Sequence, residues 1–200
     1  MKREEKNQLT RRRILESALA EFAEKGYDAA SMNNICMAGD VSKGIVYHYF
    51  TDKDELYLAC IIECFSMLRQ ATSAIRLDEA SGIAEGLAAY FEGREAFFSA
   101  NPECYKLFCS ATSNPPAHLQ EQVKQARSNL DALSLQTLTW LISKEQLRPG
   151  IHIEDVAEEF RHYQDYFNLR ARALTPEERE KACRLSLDIL LYGVIKHDNA

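Results

Sequence analysis

The chain has 200 residues, 46% of them hydrophobic and 27% charged, the balance of a globular fold of one ordinary domain or two small ones. No stretch reaches the roughly eighteen apolar residues of a membrane span, and the opening "MKREEKNQLT" has no apolar run after its charges, which argues against an export signal. The net charge of −6 is unevenly spread: residues 1–53 carry nine Lys/Arg against eight Asp/Glu, the remainder fifteen against twenty-two.

An acidic body with a locally basic head, "RRR" at 11–13, fits a protein that meets phosphate with one end only. A solvated helix end would carry the same charges. Without an export signal the chain is expected in the cytoplasm. The six cysteines then read as small core residues of a reducing compartment rather than as disulfides.

Nearly every segment reads as helix. Ile14, Leu15, Ala18, Leu19 and Phe22 recur at three- and four-residue spacing, which predicts an amphipathic helix over 11–25. Thr10 is its expected N-cap and Gly26 its stop. Ser31 is placed to cap a short helix, "MNNICMA", followed by the break "GDV". Ser42 is placed to cap a third helix through Tyr49. Thr51 and Asp52 start a long fourth, with Glu55 at capping-box spacing from Asp52. Beyond it, "NP" at 101–102, "NPP" at 114–116, "RPG" at 148–150 and "TP" at 175–176 divide helical windows near 53–76, 79–99, 102–112, 117–146, 153–171 and 176–196. Thr175, Pro176 and Glu178 form a well-signalled last start. The class is all-α, with about nine helices.

Two short helices joined across Gly39 and Asp40, residues that tolerate a left-handed backbone, are a helix-turn-helix candidate. The third helix carries "KGIVYHY" followed by Phe50. Four consecutive rings, Tyr47, His48, Tyr49 and Phe50, point around a helix in all directions, so some must face outward. Lys43, Gly44, Ile45, Tyr47 and His48 fall where a recognition helix meets base edges. Gly44 permits close approach, and Tyr47 and Tyr49 offer phenolic hydroxyls to phosphates, although Tyr49 fits a core position equally well. Lys53 and the N–H groups of the fourth helix add a phosphate site.

With these stretches, "RRRILESALAEFAEKGYDAASMNNIC" and "VSKGIVYHYFTDKDELY", residues 10–57 resemble the DNA-binding domain of the TetR family of bacterial transcription regulators. Gly39 and Asp40 stand where the family usually has Ala-Gly, and Cys36 where a small alanine is usual. The resemblance implies that Lys43, Gly44, Ile45 and His48 face bases. It implies that Tyr47, Tyr49, Lys53 and the Thr10, Arg11, Arg12, Arg13 end of the first helix hold the backbone, with Ser42 at the same surface. Phe50, Val41, Ile35, Phe22 and Leu19 would form the small core.

The resemblance also implies a division into a DNA-binding head over 1–55 and a ligand-sensing, dimerising body over 56–200. The expected function is a ligand-responsive regulator, a repressor that binds a palindromic duplex operator as a homodimer and is released by a small molecule. Tyr90, Phe97, Phe98, Tyr105, Phe108, Trp140, Tyr163 and Phe167, with Arg94 and His162 as polar anchors, are the candidate ligand pocket. Plain core packing would explain the same aromatics. Val156, Phe160, Tyr163 and Phe167 in one helix and Leu187, Leu190, Leu191 and Val194 in the next form stripes for a four-helix dimer seam.

Rival chemistry has less behind it. His118, His152, His162 and His197 show no catalytic spacing, so no enzyme, catalytic residue or cofactor is expected. Cys60 and Cys64 share a helix face, but no Cys-x2-Cys or nearby His accompanies them, so no metal site is expected. A metal- or thiol-sensing regulator remains the alternative, and a helical enzyme the remote one.

Overall fold

The computed structural model describes residues 3–143, 147–171 and 174–194. Among the described residues it holds nine α-helices and no β-strand. They are α1 (Arg3–Ala29), α2 (Met32–Ala38), α3 (Lys43–Tyr49), α4 (Lys53–Ser73), α5 (Ile83–Ala100), α6 (Pro102–Ser113), α7 (Gln120–Ile142), α8 (Ile153–Ala171) and α9 (Pro176–Val194). Short 3-10 turns lie at Leu77–Glu79 and Ala117–Leu119. None of the described helices is long and apolar enough to cross a membrane. The all-α expectation holds.

One expected boundary is corrected. Thr10 is not an N-cap: α1 already runs from Arg3, and the Thr10 hydroxyl donates to the Lys6 carbonyl at 2.9 Å. The segment ahead of Thr10 has no Gly or Pro and is rich in Glu, Lys and Gln, so nothing stops the helix there. Gly26 does interrupt the helix, at φ 73° and ψ 173°. Ser31 stands at the N-cap of α2 but its side chain makes no cap bond, whereas the starts of α3, α4 and α9 follow their signals. The Ser42 hydroxyl accepts from the Ile45 N–H at 3.3 Å. Asp52 accepts from the Glu55 N–H at 2.8 Å, while the Glu55 carboxylate reaches back to the Thr51 N–H at 2.6 Å. Glu85 and Glu178 do the same for Ser81 and Thr175.

The N–H and hydroxyl of Thr51 hold Glu55 below the usual carboxylate range. The hydroxyl and N–H of Ser81 lower Glu85, and the N–H and hydroxyl of Thr175 lower Glu178. Because these pKa values are depressed, the three anchors are present above the ordinary carboxylate range and are lost as pH falls below it, through the depressed values.

The chain divides into two compact units. The first comprises Met1–Met67 and Asn101–Arg127, the second Leu68–Ala100 and Ser128–Ala200. The expected head over 1–55 is thus part of a larger unit that also takes the start of α4, all of α6 and the start of α7. In it α1 packs on α2 and on α6. Ile14, Ala18, Phe22, Ile35, Val46, Phe50, Leu56, Tyr57, Ile61, Phe65, Leu107 and Phe108 are buried. Of the five expected small-core residues, Phe22, Ile35 and Phe50 are buried, whereas Leu19 and Val41 are half-buried.

The second unit centres on Ile83, Leu87, Leu138, Leu141, Ile142, Val156, Phe160, Cys183 and Leu187, with Phe91, Tyr163, Phe167 and Leu191 packed against them. Gly86 lets α5 close on Leu141 of α7, where a Cβ would collide with the leucine side chain. Much of each expected seam stripe is therefore spent inside the subunit. The side chains of Leu190 and Val194, and all of His197, lie outside the described residues. The second unit leaves Tyr166 of α8 and Leu185 and Ile189 of α9 exposed.

Candidate functional site

The site begins with a seven-residue helix that scarcely enters the core. Of α3, only Val46 is buried. Tyr49 is half-buried, and Lys43, Gly44, Ile45, Tyr47 and His48 are exposed, with Ile45 and Tyr47 at 42% and 44%. Apolar side chains are left in water on a helix that has one buried anchor. Covering the exposed 42% of Ile45 would recover about 1 kcal/mol. Nothing lies within 4 Å of a Cβ built on Gly44, so its missing side chain relieves no internal crowding.

The turn that aims α3 is built from a distance. Gly39 keeps a right-handed φ of −78°, and Asp40 takes the left-handed one, at 47°. Gly39 is closely wedged all the same: a Cβ there would stand 2.8 Å from the Ser17 hydroxyl. Arg13 latches the turn. Its Nη2 donates to the Gly39 carbonyl at 2.8 Å and to the Asp40 carboxylate at 3.2 Å. Sequence reasoning assigned Arg13 to the backbone-holding end of α1. The latch spans 26 residues, and no local spacing signals it.

This yields a stability prediction. Among the described residues Arg12 makes only an exposed pair with Glu16. Arg12→Ala should therefore change unfolding free energy by less than about 0.5 kcal/mol. Arg13→Ala leaves a partly buried carbonyl without its donor and should cost about 1–3 kcal/mol. Urea melts of the two variants check the contrast; equal midpoints would refute the latch.

The flanks of α3 carry the remaining candidates. The Arg11 guanidinium lies 5.4 Å from the Phe50 ring centroid, at the end of α3. The Tyr49 hydroxyl donates to Asn7 at 3.3 Å, tying α3 to the first turns of α1. Lys43 lies 6.0 Å from the Tyr47 ring centroid and its charge is exposed. Thr10 and Ser42 are engaged as helix-internal donor and cap, at half-buried and exposed positions.

Lys53 is less open than its sequence position implied. It is half-buried, donates to the Tyr27 carbonyl at 2.9 Å and stands 4.3 Å over the Tyr27 ring. The Tyr27 hydroxyl in turn hydrogen-bonds Asp54, and His118 pairs with the same carboxylate at 3.0 Å. Burial, then the Asp54 hydrogen bond and charge, push the Tyr27 phenol well above its ordinary range.

The ten candidate pocket residues do not gather in one place. Tyr105 and Phe108 are on α6 in the first unit, where Phe108 packs against Phe65 at 5.6 Å between centroids. The other eight belong to the second unit. On α5 the buried Arg94 lies between the Tyr90 and Phe98 rings at 5.7 and 5.8 Å and donates to the Tyr90 hydroxyl, while Phe97 packs beside Phe98. The Tyr90 hydroxyl also meets the Ser134 hydroxyl at 2.7 Å. Tyr163 and Phe167 are neighbours on α8, whereas Trp140 and His162 are exposed.

A groove of about 570 Å³ runs between α7 and α8, lined by none of those ten but by residues including Ser134, Leu135, Ala157, Phe160, Arg161 and Gln164. Gln164 is buried, and its Nε2 has no hydrogen-bond partner among the described residues. Periodic aromatics signal burial, while this groove is lined by a mixture of apolar residues (Leu135, Ile153, Phe160) and polar ones whose pairing across α7 and α8 no single helix announces. No group of three or more His, Cys, Asp or Glu is placed to hold a metal ion among the described residues.

Comparison with known proteins agrees with the geometry of the first unit. Residues 14–60 match the family model of bacterial regulatory proteins, tetR family. The biofilm operon icaADBC negative transcriptional regulator IcaR of Staphylococcus epidermidis is 26% identical over 121 residues, 54% of this chain and 60% of that protein. The transcriptional regulator UidR of Escherichia coli K12 is 43% identical over 56 residues, 28% of this chain and 29% of its own. A transcriptional repressor of Mycobacterium tuberculosis, Rv1474c, is 45% identical over 49 residues, 24% of this chain and 26% of its own. The chain thus spans 60% or less of the length of these relatives.

Among solved structures, the fatty acid degradation regulator FadR of Bacillus halodurans superposes with a TM-score of 0.76 over 92% of this chain and 95% of its own, at 16% identity. FadR of Bacillus subtilis, solved in complex with stearoyl-CoA, gives 0.75 over 91% of this chain and 98% of its own, at 14% identity. At such identity the likeness is one of fold.

Proposed function

We propose that this chain, which belongs to the TetR family of bacterial regulatory proteins, is a cytoplasmic repressor that binds a palindromic operator as a homodimer and leaves it when a small molecule occupies the second unit. The observation that carries the reading is α3: a short helix with a single buried residue, held in place by the Arg13 latch and the Tyr49–Asn7 bond, with its polar and apolar side chains turned to solvent.

In this reading Lys43, Gly44, Ile45 and His48 meet base edges in the major groove. Ser42, Tyr47, Tyr49, Thr10, Arg11 and Arg12 meet the phosphate backbone. Lys53 reaches a phosphate only by leaving Tyr27, so its main work is holding α4 to the end of α1. The head over 1–55 supplies the DNA surface and the body over 56–200 supplies sensing and dimerisation. The stearoyl-CoA bound to the Bacillus subtilis neighbour supports a small-molecule effector. The polar anchors available to it in the second unit are the Tyr90–Ser134 hydroxyl pair and the amide of Gln164. The exposed Leu185, Ile189 and Tyr166 supply the apolar surface for a second copy.

Salt dependence separates the two kinds of contact. Arg11→Ala should weaken binding to every duplex and reduce the slope of log affinity against log salt by about one. His48→Ala should change which base is preferred, at about 1–3 kcal/mol for a lost base contact. Fluorescence anisotropy on duplexes across a salt series reads both. A wild-type protein that binds no duplex at low salt, or one whose affinity is independent of salt, would overturn the reading.

A further inference from the structure

Two buried stripes of the second unit are each interrupted once. On α7 the stripe at four-residue spacing runs Leu130, Ser134, Leu138, and on α8 it runs Val156, Phe160, Gln164. The interruptions are polar, yet Ser134 and Gln164 are each only 6% exposed. Both line the groove of about 570 Å³ between α7 and α8. A leucine would suit the core better at position 164, because a buried amide without a partner destabilises the fold. The Gln164 Nε2 is such a group, with no partner among the described residues. Ser134 meets the Tyr90 hydroxyl at 2.7 Å, and that hydroxyl accepts from Arg94 at 3.4 Å.

The rest of the lining divides by chemistry. Leu135, Ile153, Ala157 and Phe160 offer hydrocarbon. Asp131, Glu154 and Glu158 bring three carboxylates, against the one guanidinium of Arg161 among the described lining residues. That guanidinium stands 3.8 Å from Glu158, so it offsets a carboxylate within the groove itself.

We propose that the α7–α8 groove is the effector site of the second unit and takes a cationic, mainly apolar small molecule that carries a carbonyl or another neutral hydrogen-bond acceptor. The inference rests on the reading of this unit as a sensor and adds the chemical class of what it senses.

Each part of that class answers to a part of the lining. With Arg94 donating to the phenol oxygen, the Tyr90 proton is directed to Ser134, and the serine proton is left for an acceptor in the groove. The Gln164 amide offers the second donor. Such donors accept a carbonyl or a carboxylate equally, and the charge of the lining decides between them. A carboxylate ligand would stand beside Glu154 and Glu158 in a cleft partly shielded from water and be repelled, whereas an ammonium would be attracted. The apolar residues cover the remainder of the ligand, and the volume suits a drug-sized molecule.

Two 4-aminobenzamides with the same ring and carbonyl test the class: procainamide, whose tail ends in a tertiary ammonium, and 4-aminohippurate, whose tail ends in a carboxylate. Isothermal titration of the full chain should give procainamide a dissociation constant of about 10⁻⁴ M or lower, as a ligand of its size permits. 4-Aminohippurate should bind at least about tenfold more weakly, with the gap narrowing as salt is raised. Glu154→Gln with Glu158→Gln should close most of that gap. Gln164→Leu should weaken procainamide about tenfold while its thermal midpoint stays at or above that of wild type, because the substitution removes an unsatisfied amide. A glutamine with a merely structural role would show the reverse, a lower midpoint and unchanged binding. Equal affinities, preference for the anion, or no binding of either compound at about 10 mM, a hundredfold above the expected constant, would overturn the inference whether or not the protein binds DNA. Procainamide bound as expected with unchanged affinity for a selected duplex would leave the groove a binding site and overturn its role as the effector site.

Discussion

Replacing Gly44 by leucine should leave the folded protein intact and abolish specific DNA binding. The position is exposed, on α3, with open space where a side chain would grow. Glycine is a poor helix former, so Gly44→Leu should raise unfolding free energy by up to about 1 kcal/mol. In the proposed reading the same open space is where the helix approaches base edges. A leucine there holds α3 away from the groove floor, and affinity should fall to the nonspecific level, about a thousandfold or more below the specific one. Residual binding should keep its steep salt dependence, because the phosphate contacts survive. Thermal melts and anisotropy on one selected duplex give both numbers. A variant that binds the selected site as tightly as wild type would remove α3 from the interface.

The second large effect concerns the exposed apolar face of α9. Leu185 and Ile189 are 59% and 64% exposed, four residues apart and so on one side of the helix. The core-facing residues of the same helix, Cys183 and Leu187, are already committed inside the unit. Leu185→Glu with Ile189→Glu removes no internal contact of comparable weight and should leave the thermal midpoint of the subunit fold within a few degrees. It should convert a dimer into monomers in sedimentation velocity. Operator affinity should drop by about 10²–10⁴, the gain that linking two binding heads confers. Unchanged sedimentation would move the seam off this face of α9.

How far the fold could be read from the residues depends on what each signal measures. Ser42, Thr51 and Thr175 announced their helices because capping is local chemistry, whereas Ser31 stands at the N-cap of α2 without a side-chain cap bond. The start of α1 was hidden: a polar segment without Pro or Gly has no apolar rhythm, yet it continues the helix ahead of Thr10. The outward face of α3 was legible because four consecutive rings cannot all be buried. The latch was not, since Arg13 and Gly39 meet only after α1 and α2 have folded together. The aromatics of the body were legible as burial, and Tyr90 and Phe98 are indeed core. Spacing could not tell which helices leave a gap. The groove between α7 and α8 is marked instead by a buried amide with no partner among the described residues, a fact of packing that no single helix encodes.

The central claim is that α3 reads a repeated duplex site from a symmetric dimer. Selection of the wild-type protein against a random duplex pool, followed by footprinting of the winners, tests it most directly. The account predicts one enriched inverted repeat, with half-site centres about 34–36 Å apart or a multiple of that, protected on successive major-groove faces. Enrichment of no sequence, or of a single unrepeated half-site protected by a monomer, would contradict it.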